Sequence, residues 1–274
     1  MFWYFGFGSN INLTSLRAKG VEPQRSLTGT LSGWRVKFNV THFFRHEGGV
    51  GNIKPSGNDD RVQGLVHYLR DQDLEPLDET EACGFGYRRI TVPVETTEGL
   101  VEAIAYVGMP GFIDDGCRPR QRYLNIVLAG ARAAGLDPDY IDWLGSHPVH
   151  QPEPVNAFVP PEGDWPLFDF DSLARHPDCT ALYGHVFDMR DCRWKHQFLR
   201  RVFGGRDMTL FHLQRLDTSN GSETWADIAH GQLSAGQQYY LDEYLHQYAR
   251  EYQYAGRIDY ESLRRPAMLS DDGR

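Results

Sequence analysis

Asp71 to Val94 reads Asp-Gln-Asp-Leu-Glu-Pro-Leu-Asp-Glu-Thr-Glu-Ala-Cys-Gly-Phe-Gly-Tyr-Arg-Arg-Ile-Thr-Val-Pro-Val. The pattern is an acidic helix that stops on glycine and gives way to a strand. Asp71 or Asp73 can cap the helix, and Pro76 then falls in its first turn, where a missing N–H costs little. Leu74 and Leu77 are spaced i, i+3 and Glu81 follows at i+7, so the three share one face on a 3.6-residue period. Asp78 and Glu79 point elsewhere. One carboxylate is therefore expected on the apolar side of a helix that ends at Cys83-Gly84. Burial raises a carboxylate pKa and makes the group a candidate acid or base near neutrality. Two plainer readings stand beside it: an ion pair from Glu81 to Arg88 or Arg89, or a helix end fraying in water.

Upstream, Phe2 to Phe5 reads as a buried strand running into Gly6-Phe7-Gly8-Ser9-Asn10. Asn12 then caps a short helix through Leu13 and Leu16, closed by Lys19-Gly20. A strand, a glycine turn and a helix N-terminus aim backbone N–H groups at one spot, which suits an anion or oxyanion. A tight turn with no ligand is the plainer alternative. A dinucleotide loop is disfavoured, because Gly6-x-Gly8-x-x-Ile11 lacks the third glycine.

Strand-like runs separated by turn signals follow at Trp34 to Phe43, Gly51 to Lys54, Val62 to Leu69, Tyr87 to Val94 and Leu100 to Val107. Helices are expected from about Gln121 to Ala134, stopped by Gly135, and from Asp139 to Leu144. Strands in succession with a few helices predict an α+β fold, a small mixed β-barrel flanked by helices.

Composition changes at Ser146. Six prolines between His147 and Pro166 mark a stiff extended connection. The chain is therefore read as a barrel domain over 1–145, a linker over 146–167, a smaller helix-rich α+β unit over 168–260 and a tail over 261–274, frayed from Ser262. In the second unit, His196 to Phe203 is helical, Met208 to Leu216 alternates like a strand, and Ser234-x-x-Gln237 starts a helix through Tyr252. Leu241, Tyr244, Leu245, Tyr248 and Tyr252 stripe one face of that helix, as core or as the contact of a homodimer. His176-x-x-Cys179 and Cys192-x-x-x-His196 have a finger-like separation, but neither half is a CxxC pair. Ala181 to Met189 between them is apolar enough for a strand. Buried structural cysteines are expected there, and no metal.

The 274 residues can hold one large or two modest domains. A net charge of −9 offers no general attraction to nucleic acid or anionic membrane. No apolar run is long enough to span a bilayer, and the apolar start lacks the basic segment of a secretory signal. Cys83, Cys117, Cys179 and Cys192 fit reduced thiols in a cytoplasmic protein.

Several pieces then fall in one order: Tyr4-Phe5-Gly6-Phe7-Gly8-Ser9-Asn10, Gln63-Gly64-Leu65-Val66-His67-Tyr68-Leu69 and Leu77-Asp78-Glu79-Thr80-Glu81. Tyr87 with Ile90-Thr91-Val92, Ala105-Tyr106 and Pro119-x-x-x-Tyr123 complete the set. On these, Met1 to Leu144 resembles the γ-glutamylcyclotransferase family in its Gly-Ser-Asn loop form. The resemblance implies a six-stranded-type barrel with Glu81 in the catalytic position. It implies that Phe7-Gly8-Ser9-Asn10 cradles a γ-glutamyl substrate, with Tyr87, Tyr106 and Tyr123 in the substrate-binding set. Phe7 replaces the family's usual Tyr, and Ala82 replaces the usual Gly after the catalytic Glu. The loop is unlike the Gly-Ser-Leu form of the glutathione-specific branch, so glutathione is not the first choice of substrate.

The implied reaction closes the substrate's α-amine on its γ-carbonyl, giving 5-oxoproline and a free amine or amino acid. It calls for no cofactor and no covalent intermediate, and near-attack geometry alone is worth on the order of 7–11 kcal/mol. Glu81 is expected to act as general base and then acid on a small γ-glutamyl amide or amine. The rival readings are a non-catalytic small-molecule or partner-binding module on the same fold, and another acid/base reaction on an amide-containing metabolite. The second unit can lid the pocket, select the leaving group or dimerise, and Trp194, Phe203, Phe211 and Trp225 fit each.

Overall fold

The computed structural model describes residues 1–260 and Leu263, and the chain divides into two compact units, Met1–Glu153 and Pro154 onward. The first unit runs β1 (Phe2–Gly6), α1 (Leu13–Arg17), β2 (Arg25–Ser32), β3 (Trp34–Thr41), β4 (Gly49–Pro55), β5 (Arg61–Leu69), α2 (Leu74–Thr80), β6 (Tyr87–Thr96), β7 (Gly99–Gly108), α3 (Gln121–Ala133) and α4 (Pro138–Gly145). Five strands close a mixed barrel in the order β1-β5-β2-β6-β7. All neighbours are antiparallel except the closing pair, where β7 lies parallel to β1 through Tyr4 and Ile104.

The barrel has five strands, not the six the resemblance implies. β3 and β4 pair with each other as a separate ribbon whose register shifts between Lys37 and Val40. β2, which carries few large apolar residues, fills the wall instead. At its Gly29, an added Cβ would stand 2.6 Å from methyls of both Val66 and Val94, so only glycine lets these strands approach. The core follows the two-residue period of the strands, with Val92 and Val94 of β6 and Ala103 and Ala105 of β7 fully packed. Leu124, Val127 and Ala131 of α3 cover it.

The acidic segment is helical only over Leu74–Thr80, short of the expected end at Cys83-Gly84, so Glu81 stands just past the last turn. Asp73 precedes the helix without a side-chain capping bond. Asp73 is buried and accepts from the Arg70 N–H at 3.0 Å, Pro76 sits in the first turn of α2, and Leu77 is fully buried. The helix stops at Thr80, and Ala82 follows with a left-handed φ of 48°. That conformation explains why glycine suits this position.

The second unit holds β8 (Leu167–Phe168), α5 (Phe170–Ala174), β9 (Cys179–Leu182), β10 (His185–Asp188), α6 (His196–Phe203), α7 (Thr209–Leu213), α8 (Trp225–Ala229), α9 (Ala235–Glu251) and β11 (Gln253–Ile258). Its sheet has the order β8-β11-β10-β9. Two expectations fail here. Met208 to Leu216 forms helix α7, because Asp207 Oδ1 accepts from the Thr209 N–H at 2.9 Å and turns the chain. Ala181 to Met189 is not one strand but a hairpin, broken at Tyr183-Gly184, where both residues have positive φ. The tyrosine stripe of α9 is core: Leu241, Tyr244, Leu245, Tyr248 and Tyr252 are all buried. Within the proline-rich stretch, the Phe158 N–H donates to Asp242 Oδ1 at 2.8 Å, so this part lies on α9. Phe203 packs on Phe211, Trp225 on Phe170, and Trp194 is exposed. Apart from Leu263, the expected tail lies outside the described residues.

Candidate active site

The glycine turn after β1 becomes a single 3-10 turn at Ser9–Ile11, held by the Ile11 N–H on the Gly8 carbonyl at 3.0 Å. Asn12 caps α1, its Oδ1 accepting from the N–H groups of Thr14 and Ser15. Asn10, between these fixed points, is buried. Its Nδ2 donates to the Tyr4 hydroxyl at 2.5 Å and to Glu81 Oε1 at 2.9 Å. The amide is oriented by Glu81, since turning it over would set oxygen against a carboxylate. Asn10 Oδ1 is buried and has no hydrogen-bond partner among the described residues.

His67 of β5 sits opposite Tyr4 on one side and Ser26 on the other. The ring is wholly buried, with Nε2 2.9 Å from the Asn10 carbonyl and Nδ1 2.7 Å from the Ser26 hydroxyl. Burial pushes its pKa down to about 4, against the hydrogen bond to Asn10. A neutral imidazole donating at Nε2 accepts a hydrogen bond from the Ser26 hydroxyl at Nδ1, so both nitrogens are satisfied.

Glu81 is not the isolated carboxylate that its helical face suggests. Lys19 Nζ lies 2.7 Å from Oε1, and the two side chains are only 4% and 14% exposed. Arg89, one of the partners considered from sequence, lies instead 3.5 Å from Asp78 Oδ1, and Arg88 is exposed. Burial favours the neutral acid and the ammonium favours the carboxylate, so the two influences on Glu81 oppose each other.

The tyrosines divide into two groups. The Tyr87 hydroxyl donates to the Gly51 carbonyl at 2.8 Å, and the Tyr123 hydroxyl accepts from the Gly51 N–H at 2.9 Å. Burial raises the pKa of Tyr4, Tyr87 and Tyr123 alike, and the Glu81 charge adds to each; hydrogen bonds from Gly51 and Ser9 oppose the rise at Tyr123. A Cβ on Gly8 would stand 2.9 Å from the Tyr123 hydroxyl, and one on Gly51 2.8 Å from it. Tyr106 instead donates to Asp78 Oδ1 at 2.6 Å and meets the Tyr4 ring edge-on at 5.8 Å. Phe7 packs against Phe5 in the core, so the hydroxyls near Glu81 come from Tyr4, Tyr87 and Tyr123.

The structure thus gathers Gly8, Ser9, Asn10, Tyr87 and Tyr123 with Glu81, and links Tyr106 through Asp78 to helix α2, which Glu81 directly follows. Sequence reasoning missed Tyr4, Lys19 and His67. The hydroxyl of Tyr4 on an otherwise apolar strand was a signal, because a buried tyrosine needs a partner for its polar end. Elsewhere, the His196 ring is hydrogen-bonded to Arg193 and Tyr252, and Cys179 and Cys192 are buried free thiols. Among the described residues no group of three or more His, Cys, Asp or Glu side chains could hold a metal ion, and no helix is long and apolar enough to cross a membrane.

Residues 61–144 match the AIG2-like family. The chain is 25% identical to "Gamma-glutamyl cyclotransferase aclK" of Aspergillus oryzae, over 76% of this chain and 90% of that one. It is 34% identical to "Glutamyl-Q tRNA(Asp) synthetase" of Symbiobacterium thermophilum over 48% of this chain, spanning only 38% of that relative's length. Among solved structures, "Gamma-glutamyl cyclotransferase" matches at 23% identity and a TM-score of 0.48, over 54% of this chain and 89% of that one. An uncharacterized protein from Homo sapiens matches at 24% identity and a TM-score of 0.49, over 56% and 90%. The N-terminal unit is therefore a mixed barrel with an AIG2-like segment at residues 61–144, in a chain similar to γ-glutamyl cyclotransferases.

Proposed function

We propose that the protein is a γ-glutamyl cyclotransferase that converts a small γ-glutamyl amide or amine to 5-oxoproline and a free amine or amino acid. The observation that carries this reading is the 2.9 Å hydrogen bond between Glu81 and Asn10, which joins the acidic helix to the glycine turn. The similarity to a cyclotransferase of Aspergillus oryzae supports the reaction class.

The substrate brings its own nucleophile as an α-ammonium. Glu81 removes a proton, the free amine attacks the γ-carbonyl, and a five-membered ring closes as the C–N bond to the leaving group breaks. In balance, two protons pass from the α-nitrogen to the leaving nitrogen, and one carboxylate passing them in turn meets that demand. In this reading the buried Asn10 Oδ1, which lacks a partner among the described residues, takes an N–H of the α-ammonium. The backbone N–H groups of Gly8-Ser9-Asn10 serve the substrate carboxylate or the developing oxyanion. The free cysteines suit a reducing compartment, and cytoplasmic residence belongs to the same reading.

Glu81→Gln keeps the shape of the side chain and removes its basicity. We expect 5-oxoproline release to fall by at least about a hundredfold while substrate still raises the melting temperature. Turnover retained in that variant rejects Glu81 as the base.

A further inference from the structure

Lys19 lies in the turn that closes α1, where its own N–H donates to the Leu16 carbonyl at 3.0 Å. Its side chain leaves that exposed turn and is buried against Glu81, 62 residues away. A lysine is rarely buried without a reason, because an ammonium taken out of water needs a charged or well-bonded partner. Here the partner is the one carboxylate joined to the glycine turn, and the atom-level arrangement is specific. Glu81 Oε1 receives Lys19 Nζ at 2.7 Å and Asn10 Nδ2 at 2.9 Å. A carboxylate oxygen has about two lone-pair directions, and at Oε1 these two donors fill them and fix the orientation of the group.

We infer that Lys19 is a positioning residue for the cyclisation, pinning Oε1 and keeping Glu81 ionised before substrate arrives. This rests on the reading of Glu81 as the base. The base is then ready when an α-ammonium enters, and no proton has first to be lost to solvent. Once Glu81 has taken the substrate's proton, the Lys19 ammonium faces a neutral acid and its attraction is gone. The proton is thereby urged on toward the leaving nitrogen, which completes the transfer.

The tyrosines around Glu81 stay protonated through the working range. Tyr4 of β1, Tyr87 of β6, Tyr123 of α3 and Tyr106 of β7 are all raised above their ordinary 10, first by burial. Asp78, on the helix just before Glu81, accepts from the Tyr106 hydroxyl and lies 3.5 Å from Arg89. His67, on the far side of Asn10, is pushed down to about 4 by burial.

The test uses the full chain labelled with carbon-13 at glutamate side-chain carboxyls, with the Glu81 signal assigned by its loss in Glu81→Gln. Lys19→Met should move the Glu81 titration upward by about 1–3 pH units, the range for losing an adjacent opposite charge. The acid limb of kcat/KM should move with it, and Lys19→Arg should bring both back toward wild type. If Lys19→Met does not fold, Lys19→Gln gives the same comparison, with a donor but no charge. An unmoved Glu81 titration in a folded variant overturns the proposal, even if activity drops. A titration that moves in a wild-type protein releasing no 5-oxoproline from any γ-glutamyl amide keeps the Lys19–Glu81 coupling and rejects the cyclisation instead.

Discussion

Replacing His67 by Gln removes one titrating group from the barrel wall while keeping a donor for Asn10 and an acceptor for Ser26. In the folded protein the ring stays neutral down to about 4, whereas in an unfolded chain it takes a proton near its ordinary 6.5. Between those values the unfolded chain binds more protons, so stability falls with falling pH by about 1.4 kcal/mol per unit. Across the window the contribution of His67 sums to about 3.4 kcal/mol, fully present above pH 6.5 and lost once pH passes about 4. His46, buried near α3, behaves alike, with burial pushing it down to about 3, and so does His185 of the second unit at about 4, so the variant lowers the slope without removing it. Above neutrality His67→Gln should cost about 1–2 kcal/mol through lost packing, including the ring stacked on Tyr4. Urea unfolding from about pH 8 to about pH 4.5, with amide exchange of β5 identifying the barrel transition, measures both effects. The two stability curves should converge on acidification and cross near about pH 5, where the wild type has lost about 2 kcal/mol through this ring. Parallel curves with a constant offset would refute the assignment of a buried neutral imidazole.

Two further expectations concern packing around the site. Burial pushes the Glu47 carboxyl up, but Arg122, His46 and His42 together hold it below the ordinary carboxylate range. Arg122→Met strands that buried charge and should cost about 3–5 kcal/mol in urea unfolding near neutrality; a loss under about 1 kcal/mol would mean that water reaches Glu47. Gly8→Ala sets a methyl 2.9 Å from the Tyr123 hydroxyl and should destabilise the first unit by about 1–3 kcal/mol. Adding Tyr123→Phe should recover part of that loss, and strict additivity of the two changes would disprove the contact.

The strands that the barrel uses twice over, with alternating packed and outward residues, were readable because a period of two is visible in six or seven residues. β2 was not. Its Arg-Ser-Leu-Thr-Gly-Thr-Leu-Ser has small residues at wall positions, and Gly29 is there because two valines fill the space it leaves. Helix α7 failed for the opposite reason: five residues are too few for a 3.6 period to outweigh a chance alternation. In the site, Glu81 and the glycine turn were legible from spacing and resemblance, because each is a local signal. Lys19 was read as a helix-closing residue, since nothing near it in sequence announces a partner 62 residues on. His67 was hidden likewise, as its role depends on two strands that flank it only once the sheet is assembled.

Both neighbours of β1 come late in the chain: β5 begins at Arg61 and β7 at Gly99. β1 therefore gains its first partner only with the strand that ends at Leu69, and its second only with the strand that begins at Gly99. Tyr4 lies on β1, and its hydroxyl receives Asn10. The surroundings of Glu81 are complete only when β7 closes the barrel on β1. A nascent chain halted before Gly99 has every residue of the Asn10–Glu81 contact and four strands of the barrel, but not the strand that closes it.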